Sequence, residues 1–185
     1  MDTPQIPKNV TQQEYATTTR VLKAFAEQNT GFLPLELFSA ITSLVTTPTI
    51  DVVPLIIKDS GIHIACVKRP ENHAWPGQWH TPGSVYRSTD APGFDTTIAR
   101  ALSELGSPRV ISGPHMFNII GEHRLRGTEF SMQMWCVIED IADDSAFDGV
   151  VARIDDLPQP FIESQLPMLQ QAVKAYQTHQ KTSQS

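Results

Sequence analysis

Near residue 47 the hydrophobic period of this chain switches from helical to extended. Upstream, "TQQEYATTTRVLKAFAEQ" (11–28) spaces Tyr15, Val21, Leu22 and Phe25 roughly as one helical face. After a break at Asn29-Thr30-Gly31, residues 34–45 carry a second stripe of Leu35, Phe38, Ile41, Leu44 and Val45, and Pro34 suits a first helical turn. Downstream, "TIDVVPLIIKDSGIHIACVKR" reads as two strands joined at Lys58-Asp59-Ser60-Gly61, a strong hairpin signal. Pro54 places the first of these strands at a sheet edge or on a bulge, because proline cannot donate to a ladder.

The rest of the chain alternates in the same way. A loop, "PENHAWPGQWHTPGS", precedes a helix over 94–105 whose Ile98, Ala101, Leu102 and Leu105 share one face, with Gly106 placed to stop it. "RVISGPHMFNIIGEHRL" and "TEFSMQMWCVIED" read as strands around a turn at Arg126-Gly127, and "GVVARI" is a short strand. "QPFIESQLPMLQQAVKAYQTHQ" is a C-terminal helix, interrupted or started by Pro167. The order β-β-loop-helix-β-β-β-helix predicts an α/β (α+β) fold, a mixed sheet between helices, with two extra N-terminal helices. We divide the chain into a tail and helical extension (1–47) and one sheet domain (48–185).

Composition narrows the function classes. With 185 residues, 40% hydrophobic and 18% charged, the chain is long enough for a real core and too apolar for disorder. No apolar run approaches the roughly 20 residues of a membrane span, and "MDTPQIPKNVTQQEY" has no signal-peptide pattern, so a cytoplasmic protein with no membrane partner is expected. A net charge of −6 with scattered Lys and Arg gives no basic groove, and no nucleic-acid partner is expected. Cys66 and Cys136 sit in apolar strands, far apart in sequence, and read as buried thiols. There is no Gly-x-Ser-x-Gly, Walker or dinucleotide glycine pattern.

The segment that carries chemistry runs from Trp79 through Pro82, Gly83 and Ser84 to Glu104, Leu105 and Gly106. A strand, a Trp-x-x-Pro-Gly loop and a helix ending in Glu-Leu-Gly resemble the Nudix hydrolases. That family follows the loop's Pro-Gly with a second glycine, here Ser84, and fills the helix with glutamates, most of which are missing here. The upstream helix, "TTPTIDVVPLI", "KRPEN", "GQW" and "GTEF" are similar to the GDP-mannose mannosyl hydrolase branch, whose box is itself depleted. The resemblance spans about 48–157, including the late "ARIDDLP".

Cleaving a diphosphate requires negative charge on the leaving group to be offset, and a hard divalent cation held by carboxylates and carbonyls does this. The resemblance implies Mg²⁺ or Mn²⁺ held by Glu104 and the Gly83 carbonyl, with Asp90 and Asp95 as further acidic groups near the helix start. It implies contacts to a small-molecule nucleotide from Asp51 and Arg69. Arg100 lies in a place that would repel a metal and suits a phosphate, and Trp75 is an aromatic face for a base. The branch's catalytic histidine and glutamine are absent from "DDSAFDGVVARI"; Asp148 and His123 are the candidate bases. His73 and His80 flank the site. The expected function is hydrolysis of a nucleoside diphosphate linked to another group, such as a sugar. The alternative is a catalytically inactive Nudix-fold module that binds a nucleotide or a protein. The N-terminal helices are expected to cap the sheet or to form a homodimer contact.

Overall fold

The computed structural model describes residues 9–28, 33–71, 73–124, 127–142, 144 and 146–183. The Asn29-Thr30-Gly31 break and Arg126 lie outside the described residues. The chain forms two compact units, Met1–Ile41 and Thr42–Ser185.

In the first unit, α1 (Gln12–Gln28) is followed by the start of α2 (Leu35–Thr42). A reciprocal capping box starts α1: the Glu14 N–H donates to Thr11 Oγ1, and the Thr11 N–H donates to Glu14 Oε2. Tyr15, Val21 and Leu22, spaced roughly as one helical face, are exposed.

The second unit is built on β1 (Thr47–Lys58), β2 (Gly61–Lys68), β3 (Trp79–His80), β4 (Gly83–Val85), β5 (Val110–Arg124), β6 (Gly127–Ile138) and β7 (Gly149–Arg153). The sheet order is β3-β2-β1-β6-β5, with β4 also pairing β1 and β7 also pairing β2. β1 and β6 run parallel; the remaining pairs are antiparallel. The β1–β2 hairpin turns between Lys58 and Gly61, as its sequence predicts. α3 (Asp95–Leu102) tightens into a 3-10 turn, Ser103–Leu105, and Gly106 at φ 80 caps it. α4 (Leu166–Ser183) closes the chain. Pro167 sits in its first turn, so it starts this helix and does not interrupt it; residues 159–165, expected to be helical, instead bridge to β3 and form a 3-10 turn.

Pro54 corrects an expectation. β1 is an interior strand, not an edge. The Val52 N–H donates to Pro82 O on the β4 side, and alternation turns the Pro54 nitrogen to that same side. There the β4 ladder has ended at Asp51 and the β2 ladder begins only at Leu55. The missing donor falls in the gap between two partners.

The two faces of the sheet hold separate cores. Ile50, Val52, Met134 and Cys136 pack with Ile98, Ala101, Leu102 and Leu105 of the α3 region, the face predicted from spacing. Val53, Leu55, Trp135 and Val137 pack with Met168, Leu169 and Ala172 of α4. Helices therefore cover both faces of a mixed sheet, the layered architecture expected from the sequence. Cys66 and Cys136 are free and buried, and burial pushes each thiol up to about 12, which leaves them inert as nucleophiles. Among the described residues, no helix is long and apolar enough to cross a membrane.

Candidate functional site

On the α4 side, the β1–β6 face changes character along its length. Toward the C-terminal ends of these strands it is apolar. Toward their N-terminal ends Thr47, Thr49 and Asp51 stand opposite Glu129, Ser131 and Gln133 in parallel register. All six are buried, with exposures of 1–7%. Six buried polar side chains on one patch are costly unless partnered by one another or by a ligand. Ser131 Oγ donates to Asp51 Oδ2 at 2.6 Å.

A cavity of about 50 Å³ opens on this patch, lined among others by Thr49, Asp51, Arg69, Trp75, Glu129 and Gln165. Arg69 and Trp75 come from the loop between β2 and β3. That loop is clasped by its own backbone: Arg69 N–H donates to Gln78 O, Gly77 N–H to Arg69 O and Gln78 N–H to Trp75 O. The clasp holds Trp75 at φ 57, a left-handed conformation that is costly for a bulky L-residue.

Gly83 and Ser84 form the opposite rim. Gly83 stands across from Asp51, one step from the Val52–Pro82 hydrogen bond. In an antiparallel pair that is a non-hydrogen-bonded position, so the Gly83 N–H and C=O turn away from β1. A side chain on Gly83 would meet Asp51: Oδ1 lies 2.6 Å from the ideal Cβ position. Glycine is required here by close approach.

The outward Gly83 N–H favours the charged form of the Glu104 carboxylate. Glu104 itself lies in the 3-10 turn after α3, at the rim of the cavity and not in its lining. Its side chain is 34% exposed. Burial pushes its carboxyl up to about 7; Arg69 and the Gly83 N–H pull the other way, and the Asp51 charge adds to the rise. His80 Nε2 is 3.6 Å from Glu104 Oε2, beyond hydrogen-bond reach. Burial, with Arg69 and His73 adding to it, lowers His80 to about 3 even though Thr81 O accepts from Nδ1, so the ring is neutral near pH 7. The Nδ1 hydrogen bond leaves an Nε2 lone pair facing Glu104.

Arg100 is spent on structure. Its Nε donates to Ser84 Oγ, one terminal nitrogen to Asp90 Oδ1, and the other to both Val85 O and Asp90 Oδ2. Asp90 also accepts from Thr97 Oγ1 and from the Arg87 N–H. Hydrogen bonds from Arg100, then from Thr97 and Arg87, hold its carboxyl well below the usual range despite burial. Ser84 thus anchors an internal arginine.

The other expected site residues are scattered. Asp95 is the first helical residue of α3 and is exposed, with Phe94 at the cap position before it. Asp148 is exposed just before β7, and His123 sits near the β5–β6 turn with Nδ1 3.4 Å from Thr128 Oγ1. None of the three lines the cavity. Sequence reasoning missed Thr49 and Gln165 and did not place His80 against Glu104.

Among the described residues no group of three His, Cys, Asp or Glu converges as a metal site. Asp51 nevertheless crowds the Gly83 backbone, and Glu104, raised mainly by burial, lies within electrostatic reach of Asp51. That arrangement fits one hard cation whose shell is completed by phosphate oxygens and water, not a multi-ion site.

A mixed sheet with a helix packed on each face and a Trp-x-x-Pro-Gly loop at the cavity rim defines an α/β sandwich. The fold is that of solved Nudix proteins. The Nudix domain of Shewanella oneidensis NrtR, complexed with ADP ribose, superposes with a TM-score of 0.58 at 19% identity over 90% of this chain and 99% of that one. C. elegans Ap4A hydrolase gives 0.56 at 9% identity, over 71% and 98%. Shewanella oneidensis NrtR complexed with a 27mer DNA gives 0.54 at 23% identity, over 67% of this chain and 59% of that one. These are likenesses of fold. The DNA complex also means that the fold lends no support to the expected lack of a nucleic-acid partner. No protein-family profile and no curated protein matches the chain.

Proposed function

We propose that the chain is a Nudix-type hydrolase acting on a nucleoside diphosphate joined to another group. The observation that carries this reading is the close approach of Asp51 to the Gly83 backbone in a polar cavity also lined by Arg69, with Glu104 within electrostatic reach of Arg69 and Asp51. Arg69 supplies positive charge for a diphosphate at the rim, Trp75 an aromatic wall, and the buried β1–β6 patch a set of hydrogen-bonding groups. Mg²⁺ or Mn²⁺ held by Glu104 and Gly83, beside Asp51, would offset charge on the phosphate oxygens. A cavity of about 50 Å³ takes only water-sized groups, so a nucleotide needs a wall to move. The strained Trp75 loop is the wall suited to do so. The ADP ribose held by NrtR's Nudix domain is a nucleoside diphosphate joined to a sugar, the class this reading assigns to the cavity.

A second reading has its own observation. With no convergence of three metal-binding side chains among the described residues, the same pocket serves a module that holds a nucleotide without turnover. The deciding experiment screens nucleoside diphosphate compounds with Mg²⁺ or Mn²⁺ for phosphate or nucleotide release, with Glu104→Gln in parallel. Turnover that falls at least a hundredfold in the variant supports the hydrolase. Turnover untouched by it removes the Glu104 assignment. Nucleotide-induced thermal stabilisation without turnover selects the binding module.

A further inference from the structure

Away from the cavity, on the α4 face of the sheet, two histidines meet over Trp135. Ala172 and Tyr176 of α4 pack on that face, and His179 extends their stripe where an apolar side chain would continue the core. It meets His115 of β5, with ring centres 4.6 Å apart and planes tilted by 44°. The His115 ring lies 4.3 Å from that of Trp135, and the His179 ring 5.4 Å from it. β5 is irregular here: its register against β6 shifts between Ser112 and His115 and again after Met116, and such bulges re-aim a side chain. Both histidines are half-buried, so each keeps contact with solvent.

Their ring nitrogens are under-used. His179 Nδ1 is buried with no hydrogen-bond partner. His115 Nε2 has Ser112 Oγ at 3.5 Å, the limit of a hydrogen bond. Burial, then the neighbouring His179, lowers the His115 pKa, so its ring is neutral near pH 7 and offers a lone pair. A buried nitrogen without a partner is unfavourable, and protonating both rings would set two positive charges side by side. A borderline transition-metal ion takes lone pairs from two imidazoles at once. Metal–nitrogen bonds of about 2.0–2.1 Å place two such ring centres roughly 4.5–5.2 Å apart for bond angles of about 90–110°. The 4.6 Å spacing of His115 and His179 falls in that range. Among the described residues no third His, Cys, Asp or Glu joins the pair, so water completes the shell and the donor set does not suit oxygen-seeking Mg²⁺.

We propose that His115 and His179 form a two-imidazole clip for Zn²⁺ or a similar borderline divalent ion, tying the C-terminal part of α4 to β5. The clip is independent of the diphosphate reading and needs no nucleotide. The test uses the untagged full chain after chelator treatment. Zn²⁺ is expected to raise Tm, whereas Mg²⁺ gives no shift that depends on either histidine. Cu²⁺ is expected to quench part of the tryptophan emission, because Trp135 lies beside both rings, and Zn²⁺ added first should protect that part. His179→Leu, which keeps an apolar contact with Trp135, and His115→Gln are each expected to raise the Zn²⁺ concentration for half-maximal Tm shift at least tenfold and to remove the protected quench. Where one variant does not fold, the other decides. No Zn²⁺ response in the wild-type chain overturns the clip, as does a response of wild-type strength in whichever variant folds; the two rings then serve only to pack on Trp135. Neither result bears on turnover or nucleotide binding, which the nucleotide screen reads separately.

Discussion

Asp51 Oδ1 occupies the space into which a side chain on Gly83 would project, 2.6 Å from the ideal Cβ position. The rim of the candidate site is therefore a contact between a buried carboxylate and bare backbone, and it holds only while residue 83 is glycine. The Gly83 N–H is left pointing to Glu104, so one residue couples two acidic groups from β1 and from the turn after α3.

Gly83→Ala is expected to displace Asp51 from Ser131 and to cost about 1–3 kcal/mol by overpacking. Nucleotide binding should weaken at least tenfold. Chemical denaturation and thermal-shift titration measure the two effects. Asp51→Ser in the Gly83→Ala background should recover most of the stability and none of the binding; recovery of both would show that Asp51 acts only as filler.

Asp90→Asn is expected to destabilise the fold by roughly 3 kcal/mol, because it leaves a guanidinium short of its charged partner beside a nearly buried carboxyl position. The Asp90 carboxyl is held below its unfolded value, so its contribution is present above about pH 4 and is lost as pH falls through the folded value. If Asp90 instead holds a metal, the substitution will raise the Mg²⁺ or Mn²⁺ concentration needed for half-maximal activity. The Arg100 pairing predicts no change in that concentration.

His80 and Glu104 give opposite slopes to stability against pH. His80 is lowered from 6.5 to about 3, so the unfolded chain binds the extra proton between these values; its stabilisation is full above about pH 6.5 and fades as pH falls toward 3. Glu104 is raised from 4.5 to about 7, so its contribution is full below about pH 4.5 and is lost as pH rises through 7. Between pH 4.5 and 6.5 the two partly cancel. Without added metal, Glu104→Gln should raise Tm at pH 8 and leave it nearly unchanged at pH 4.5. A Tm rise at pH 4.5 equal to that at pH 8 would contradict the burial of this carboxyl.

Divalent cation should reverse the Glu104 penalty. In the wild-type chain, Mg²⁺ or Mn²⁺ with a nucleoside diphosphate is expected to raise Tm more at pH 8 than at pH 5.5, since the ligand carboxylate must be ionised. Glu104→Gln should remove that pH dependence. An equal stabilisation at both pH values would speak against Glu104 as the cation's holder.

The local rules of the fold were legible in order along the chain. The hairpin at Asp59-Ser60, the α3 stripe of Ile98, Ala101, Leu102 and Leu105, and the Gly106 stop depend on spacing and on one residue's backbone freedom, and neighbours in sequence decide both. Two features depend on distant partners. Pro54 was read as an edge or bulge signal because a strand's partners are set elsewhere in the chain, and the pairing of Asp90, a possible metal ligand by sequence, with Arg100 across the turn was not visible.

The site itself was half written in the sequence. "TPTID" and "EFSMQ" each place polar residues at every second position within otherwise apolar strands, a signal that one face of each strand is unusual. What sequence alone determined is that alternation, the glycine at 83 and the carboxylate at 104. Only the tertiary structure decided that β1 and β6 run parallel and in register, which sets Thr47, Thr49 and Asp51 beside Glu129, Ser131 and Gln133. Pairing between strands about 80 residues apart in sequence follows from burying both faces of the whole sheet at once, a global optimum that no short window of residues encodes.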